Sequence, residues 1–273
     1  MTKVHMLHHS TAKGGILALT ILLLGCFSIS QAYPQELPPL DIKIVEDAID
    51  NYLDLLNTGA RNGYYHNNFG TNWNKGQSSF LIERGQPADA YHRERLFDNT
   101  DDTCWVEGVH GFGRGEYVMY VVDPNSWYSR YHNDPDGKLT FTIKLKNGFG
   151  RNRRLFEINN RLKNVEITVY DVALGWDGEM RNGPVTGRTI RDFLGPPTIC
   201  AQANITLEDR MDEQVFEITG RPRYEEVNGR HRGVLFLVAV IRIVDVYKGT
   251  HYDDTCLNEL EITASSSANP FIY

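Results

Sequence analysis

Residues 101–116 read DDTCWVEGVHGFGRGE, and their first four letters recur at 253–256 in DDTCLNELEI. The same acidic, cysteine-bearing tetrapeptide therefore brackets about 150 residues of strand-like sequence. This bracketing predicts the two ends of one β-sandwich brought together, with Thr103 and Thr255 on the same side of the molecule. Around it lie carboxylates at Asp98, Asp101 and Asp102, a large aromatic at Trp105, and glycines at 108, 111, 113 and 115. Glycines so closely spaced allow backbone angles that other residues avoid. Such a loop can wrap an ion or approach a ligand. It can equally be a tight turn with solvated acids and a core tryptophan.

Outward from this stretch, short or alternating apolar runs are separated by Gly, Pro, Asn and Asp. They fall at Phe80–Ile82, Tyr117–Val122, Leu139–Leu145, Val165–Tyr170, Ile205–Leu207, Val215–Ile218, Val234–Tyr247 and Leu257–Ile262. Leu139, Phe141, Ile143 and Leu145 alternate with Thr140, Thr142 and Lys144, as half-buried antiparallel strands do. The run Val234–Ile241 stops at Arg242 and Asp245, so it reads as a central strand and not a membrane span. About eight strands with no helix between Leu139 and Tyr170 predict an all-β sandwich or jelly roll. Gly, Pro, Asp and Arg dominate 171–197, which reads as a surface excursion carrying Trp176.

Before the strands, Val45, Ala48, Ile49, Tyr52 and Leu56 recur at helical spacing, predicting one amphipathic helix over 41–56. It packs on the following domain or on a partner. Lys3 and Lys13 precede an apolar run from Ile16 to Ile29 and then Ser30, Gln31 and Ala32. This pattern reads as an export signal cleaved after Ala32, with a lipid anchor at Cys26 as the rival reading. The expected organisation is a signal over 1–32, then linker, helix and loop over 33–77. The sandwich follows over 78–263, with a loose tail over 264–273.

The chain of 273 residues holds 28 basic and 35 acidic side chains. The first 32 residues carry two lysines and no acid, so the remainder is more acidic still. Nucleic acid is not an expected partner, because phosphate neutralisation needs a basic surface. An exported chain can keep disulfides. The equivalent places of Cys104 and Cys256 in the two DDTC segments predict that they pair and that Cys200 stays free, the alternative being three reduced, buried thiols.

The order of motifs resembles the discoidin-like, NADase-type glycan-binding domains of bacterial exported proteins, which are related to the translocation domain of streptococcal NAD glycohydrolases. The resemblance is carried by Leu96, Phe97, Asp98, Asp101, Thr103, Trp105–Gly108, Gly111, Gly113, Gly115 and Glu116. It continues through Ile143–Phe149, the Asn159, Asn160, Arg161 and Lys163 group, and 205–214. It closes with Val246, Tyr247, Gly249, Tyr252–Cys256, Glu259 and Glu261. It implies a galactose-binding-like jelly roll whose terminal strands are neighbours, and a non-catalytic module that holds carbohydrate. It also implies that no cofactor is essential and that a structural calcium is optional, held by Asp98, Asp101, Thr103 and Glu259. Calcium takes oxygen ligands of all these kinds. Asn99, where the family commonly has glycine, suits a left-handed turn. The alternative for these acids is a cluster capped by backbone N–H groups.

Sugar binding needs planar donors and acceptors together with an aromatic face. The candidates are Asn147, Arg154, Asn159 and Arg161, with Trp127 or Tyr131 as platform. The competing reading is that Asn159 and Arg161 tie their loop to the sheet. The GxGxG string at 111–115 lacks a strand-to-helix context, and nothing fixes the separation of Glu107 and Glu116, so no enzyme is expected. In the resemblance, catalysis belongs to a separate C-terminal domain. The expected partner is a glycan at a bacterial envelope or host surface. The alternative is an envelope protein that binds the helix over 41–56.

Overall fold

Alternation becomes architecture in strand β3, Leu139–Asn147, where every second side chain from Leu139 to Asn147 is buried and those between face out. The computed structural model describes residues 36–57, 76–122, 138–176, 190–193, 195–222 and 233–266. The strands and helices described belong to the unit Leu37–Tyr273. Its other strands are β1 Trp105–Val106, β2 Tyr117–Val122, β4 Asn160–Trp176, β5 Ile190–Phe193, β6 Thr198–Thr206, β7 Gln214–Gly220, β8 Gly233–Tyr247 and β9 Thr255–Ser266. Helix α1 spans Ile42–Asn57 and the short helix α2 spans Arg153–Ile158.

The strands form two layers. One runs β2-β8-β4, with β5 and β6 on the far edge of β4; the other runs β7-β3-β9, with β1 on β9. They join where β4 begins parallel to β9, pairing Asn160 with Thr255 and Arg161 with Cys256. Between the layers, Val165, Ile167, Val169, Ala239 and Ile241 meet Phe141, Ile143, Leu145, Leu260 and Ile262 in one buried core. Non-directional burial of this apolar surface is the main force holding the layers together.

Val238 and Val240 are buried on the other face of β8 as well, because Val45, Ala48 and Ile49 of α1 cover it together with Met119, Val121, Tyr170 and Val172. A strand covered on both sides needs no alternation, which is why 234–241 reads as one apolar run. Arg242 secures the segment leading into α1, donating to the Pro38 carbonyl at 2.8 Å and to Glu166 at 3.0 Å.

The head and tail of the sandwich are neighbours, as expected: Trp105 pairs with Leu257 and Val106 with Cys256, antiparallel. Four readings are corrected. Phe80–Ile82 is not a strand; Leu81 donates one bond to the Val106 carbonyl from an extended segment. Strand β4 continues through Asp171 to Trp176, so the excursion begins later than Asp171. A helix, α2, does occur between Leu139 and Tyr170. It fills the connection from β3 to β4 and is nucleated by Asn152, whose side chain accepts from the Leu155 N–H at 2.9 Å.

The disulfide between Cys104 and Cys256 is not formed: both thiols are free and buried. In the antiparallel register Cys256 faces Val106, and Cys104 reaches it only along the diagonal, as a hydrogen-bonding neighbour. Burial, then Cys256 itself, pushes the Cys104 thiol well above the usual range.

Candidate functional site

Strands β1, β3, β6 and β8 all finish at one end of the sandwich, so four connections gather there: 107–116, 148–159, 207–213 and 248–254. This crown is tied together by polar side chains. Asn160, fully buried, accepts from the Gly249 N–H at 2.7 Å and donates to the Asp253 carbonyl, fixing both ends of the 248–254 loop. The same loop donates from His251 and Tyr252 to the carbonyl of Ile158, at 3.1 and 2.8 Å. Backbone held at so many points has little freedom left to lose when a ligand arrives.

On this fixed loop Tyr252 keeps 46% of its surface exposed. His251 meets it edge to face with ring centroids 4.5 Å apart. Lys248 stands over the Phe112 ring at 4.9 Å and pairs with Asp253 at 3.5 Å. An exposed, buttressed aromatic ring flanked by donors and acceptors can receive the C–H face of a sugar.

The residues expected to bind sugar are placed differently. Asn147 is buried and exchanges two bonds with Leu162, donating to its carbonyl at 2.7 Å and accepting its N–H at 2.9 Å. Asn159 donates to the Leu155 carbonyl at the end of α2. Arg161 forms a two-pronged pair with Asp209 at 3.0 and 2.7 Å and also donates to the carbonyls of Asn159 and Lys248. These three have their polar atoms engaged within the fold, whereas Arg154 is exposed on α2. Trp127 and Tyr131 lie outside the described residues.

Beside the crown lies the acidic loop. Asn99 adopts a left-handed conformation at φ 55°, as its place in the turn requires. Asp98 accepts from the Thr103 hydroxyl at 2.7 Å, and Asp101 accepts from Lys146 at 2.8 Å. Glu259 faces them with a buried Oε1 that has no hydrogen-bond partner. Burial, then the charge of Asp98, pushes its carboxyl up to about 7. Asn258 donates to the main-chain carbonyls of Thr100 and Thr103, linking this loop to β9. Among the described residues no three His, Cys, Asp or Glu side chains are gathered as a ready metal cage. A cation here would draw on carboxylate, hydroxyl and carbonyl oxygens together, the donor set of a hard ion.

Glu107 and Glu116 are both engaged by hydrogen bonds within the fold. Glu107 is buried, accepting from the N–H groups of Val109 at 2.8 Å and Thr255 at 3.3 Å. Glu116 accepts from the hydroxyls of Ser78 and Ser79. Tyr252 lies within the motif that carries the resemblance, beside the second DDTC segment. Only the exposure of its ring marks it out.

Among the described residues no helix is long and apolar enough to cross a membrane. No curated protein matches the chain. Among solved structures, an apo-form cyclase from Fischerella sp. aligns over 71% of this chain and 98% of its own, at 12% identity and a TM-score of 0.27. A family model matches residues 64–263, nearly all of the sandwich and most of the chain. The chain belongs to the NAD glycohydrolase translocation F5/8 type C domain family.

Proposed function

We propose that this domain is a non-catalytic carbohydrate-binding module of an exported protein, taking its ligand on the crown of loops around Tyr252. The observation that carries the reading is the Tyr252 ring, exposed yet held by His251 and by a loop bonded to Ile158 and Asn160. Stacking on such a ring orients a sugar without breaking any bond in it. Export is supported by the charged start, apolar run and Ser30-Gln31-Ala32 of the N-terminus. The competing use of α1 as a docking helix is not favoured, because Val45, Ala48 and Ile49 are already buried against the sheet.

A structural calcium fits the same reading. Glu259, Asp98, Asp101 and Thr103 would hold it, and the unpartnered Oε1 of Glu259 supports the assignment. When bound, the ion would neutralise like charges and brace the acidic loop against β9; it has no chemical step to perform.

A glycan array tests the function. Wild-type protein should bind a subset of glycans, and Tyr252→Ala, with an unchanged melting temperature, should lose that binding. Equal binding by the variant, or no binding by the wild type to any glycan, rejects the reading.

A further inference from the structure

The chain carries more acid than base, yet the turn from β3 to β4 reads Gly150-Arg151-Asn152-Arg153-Arg154, placing three guanidinium groups within four residues. All three arginines are exposed. The backbone that presents them is fixed. Gly150 lies so close to buried Asn258 that a Cβ would stand 2.6 Å from its Oδ1. Asn152 caps α2, and Phe156 is buried beneath the Arg161 guanidinium at 5.1 Å.

The anions already near these arginines hold them weakly. Arg151 meets Asp102 at 3.4 Å and Arg153 meets Glu157 at 2.6 Å, each pair more than half exposed. Exposed pairs of this kind contribute about 0–1 kcal/mol, so a ligand anion can replace them. Arg154 makes no ion pair among the described residues. Of the neighbouring acids, Asp209 is held in a two-pronged pair by Arg161, whereas Asp253 meets Lys248 only in an exposed pair at 3.5 Å. The far end of α2 receives the N–H groups of His251 and Tyr252. With a rise of about 1.5 Å per residue, the backbone of Arg153 and Arg154 therefore stands within roughly 10 Å of the Tyr252 loop.

Guanidinium forks match the two oxygens of a carboxylate or sulfate in a way that hydroxyls do not. We infer that the crown selects anionic glycans, those bearing carboxylate or sulfate groups, with the 151–154 turn gripping the anion while Tyr252 stacks on a ring. This rests on the carbohydrate reading above. An anionic bilayer fits less well, because the apolar residues of the turn, Leu155, Phe156 and Ile158, are not among its exposed side chains.

The test is an array of matched neutral and anionic glycans, uronic, sialylated and sulfated, read at low and raised ionic strength. The anionic members should bind roughly tenfold more tightly, with the advantage shrinking in salt. The combined Arg151→Gln, Arg153→Gln, Arg154→Gln variant should keep neutral-glycan binding and lose the preference, and the corresponding lysine variant should recover part of it. Equal binding of neutral and anionic forms overturns the inference and leaves the carbohydrate reading standing. Absence of all glycan binding, with arginine-dependent binding to phosphatidylserine vesicles, overturns both.

Discussion

The buried carboxylate of Glu107 accepts the main-chain N–H of Thr255, 148 residues further along, so the exit from β1 is held to the entry of β9. Burial raises the Glu107 carboxyl to about 7, with Asp254 and Glu116 adding like charge. Asp254 is itself raised, by burial first and then by Asp253. A carboxyl raised in the folded state contributes stability that is full below its unfolded value and is lost as pH climbs through the folded one. The melting temperature in the presence of chelator should therefore fall between about pH 5 and pH 8. Glu107→Gln should flatten that slope, measured by thermal melts across pH. A slope identical to wild type contradicts the account.

Gly113, at φ 70°, lies against the Glu107 side chain, where a Cβ would come within 2.6 Å of Cγ. Gly113→Ala combines backbone strain with a clash and should cost about 1–3 kcal/mol. Denaturant unfolding measures it directly. A neutral result would mean the loop is looser than described.

Much of this fold was legible because β3 and β9 bury one face and wet the other, so their alternation survives in the sequence. The repeated DDTC placed head beside tail correctly, but not the pairing of its cysteines, because antiparallel register sets Cys256 against Val106. Two-residue β1 and six-residue α2 are too short to show a period. Strand β4 looked finished at Asp171 because an acid in a central strand resembles a turn; here it is buried and accepts from the Thr198 hydroxyl. The site was harder to read. A buried asparagine that clamps a main chain and an exposed one that meets a sugar are the same letter, and only burial separates Asn147 from a ligand-binding residue.

Asn147→Ala should leave the N–H and carbonyl of Leu162 unpaired in the core, at a cost of about 2–4 kcal/mol. Arg161→Ala should cost about 1–3 kcal/mol by leaving the carbonyls of Asn159 and Lys248 without their donor. Both losses should appear in unfolding curves recorded without any ligand. Full stability with loss of glycan binding alone would return these residues to a ligand role.

Ile49→Asp should destabilise the domain and expose the Val238 and Val240 face, with aggregation following at lower temperature. Ile49→Ala should cost about 2–5 kcal/mol. An unchanged melting curve for both would show that α1 is not part of the folded unit.

Calcium should raise the melting temperature, and chelator should reverse it. Glu259→Gln should abolish the response while leaving the apo protein folded. Calcium that shifts wild type and variant equally would place the ion elsewhere or nowhere.

Hydrogen–deuterium exchange with the best array ligand tests the central claim most directly. The account predicts slowed exchange in 249–254 and 148–154, the loops that carry Tyr252 and the arginine turn. Slowing absent from both loops and confined to the opposite end of the sheets, around Val122, Leu139, Trp176 and Gly233, would contradict it.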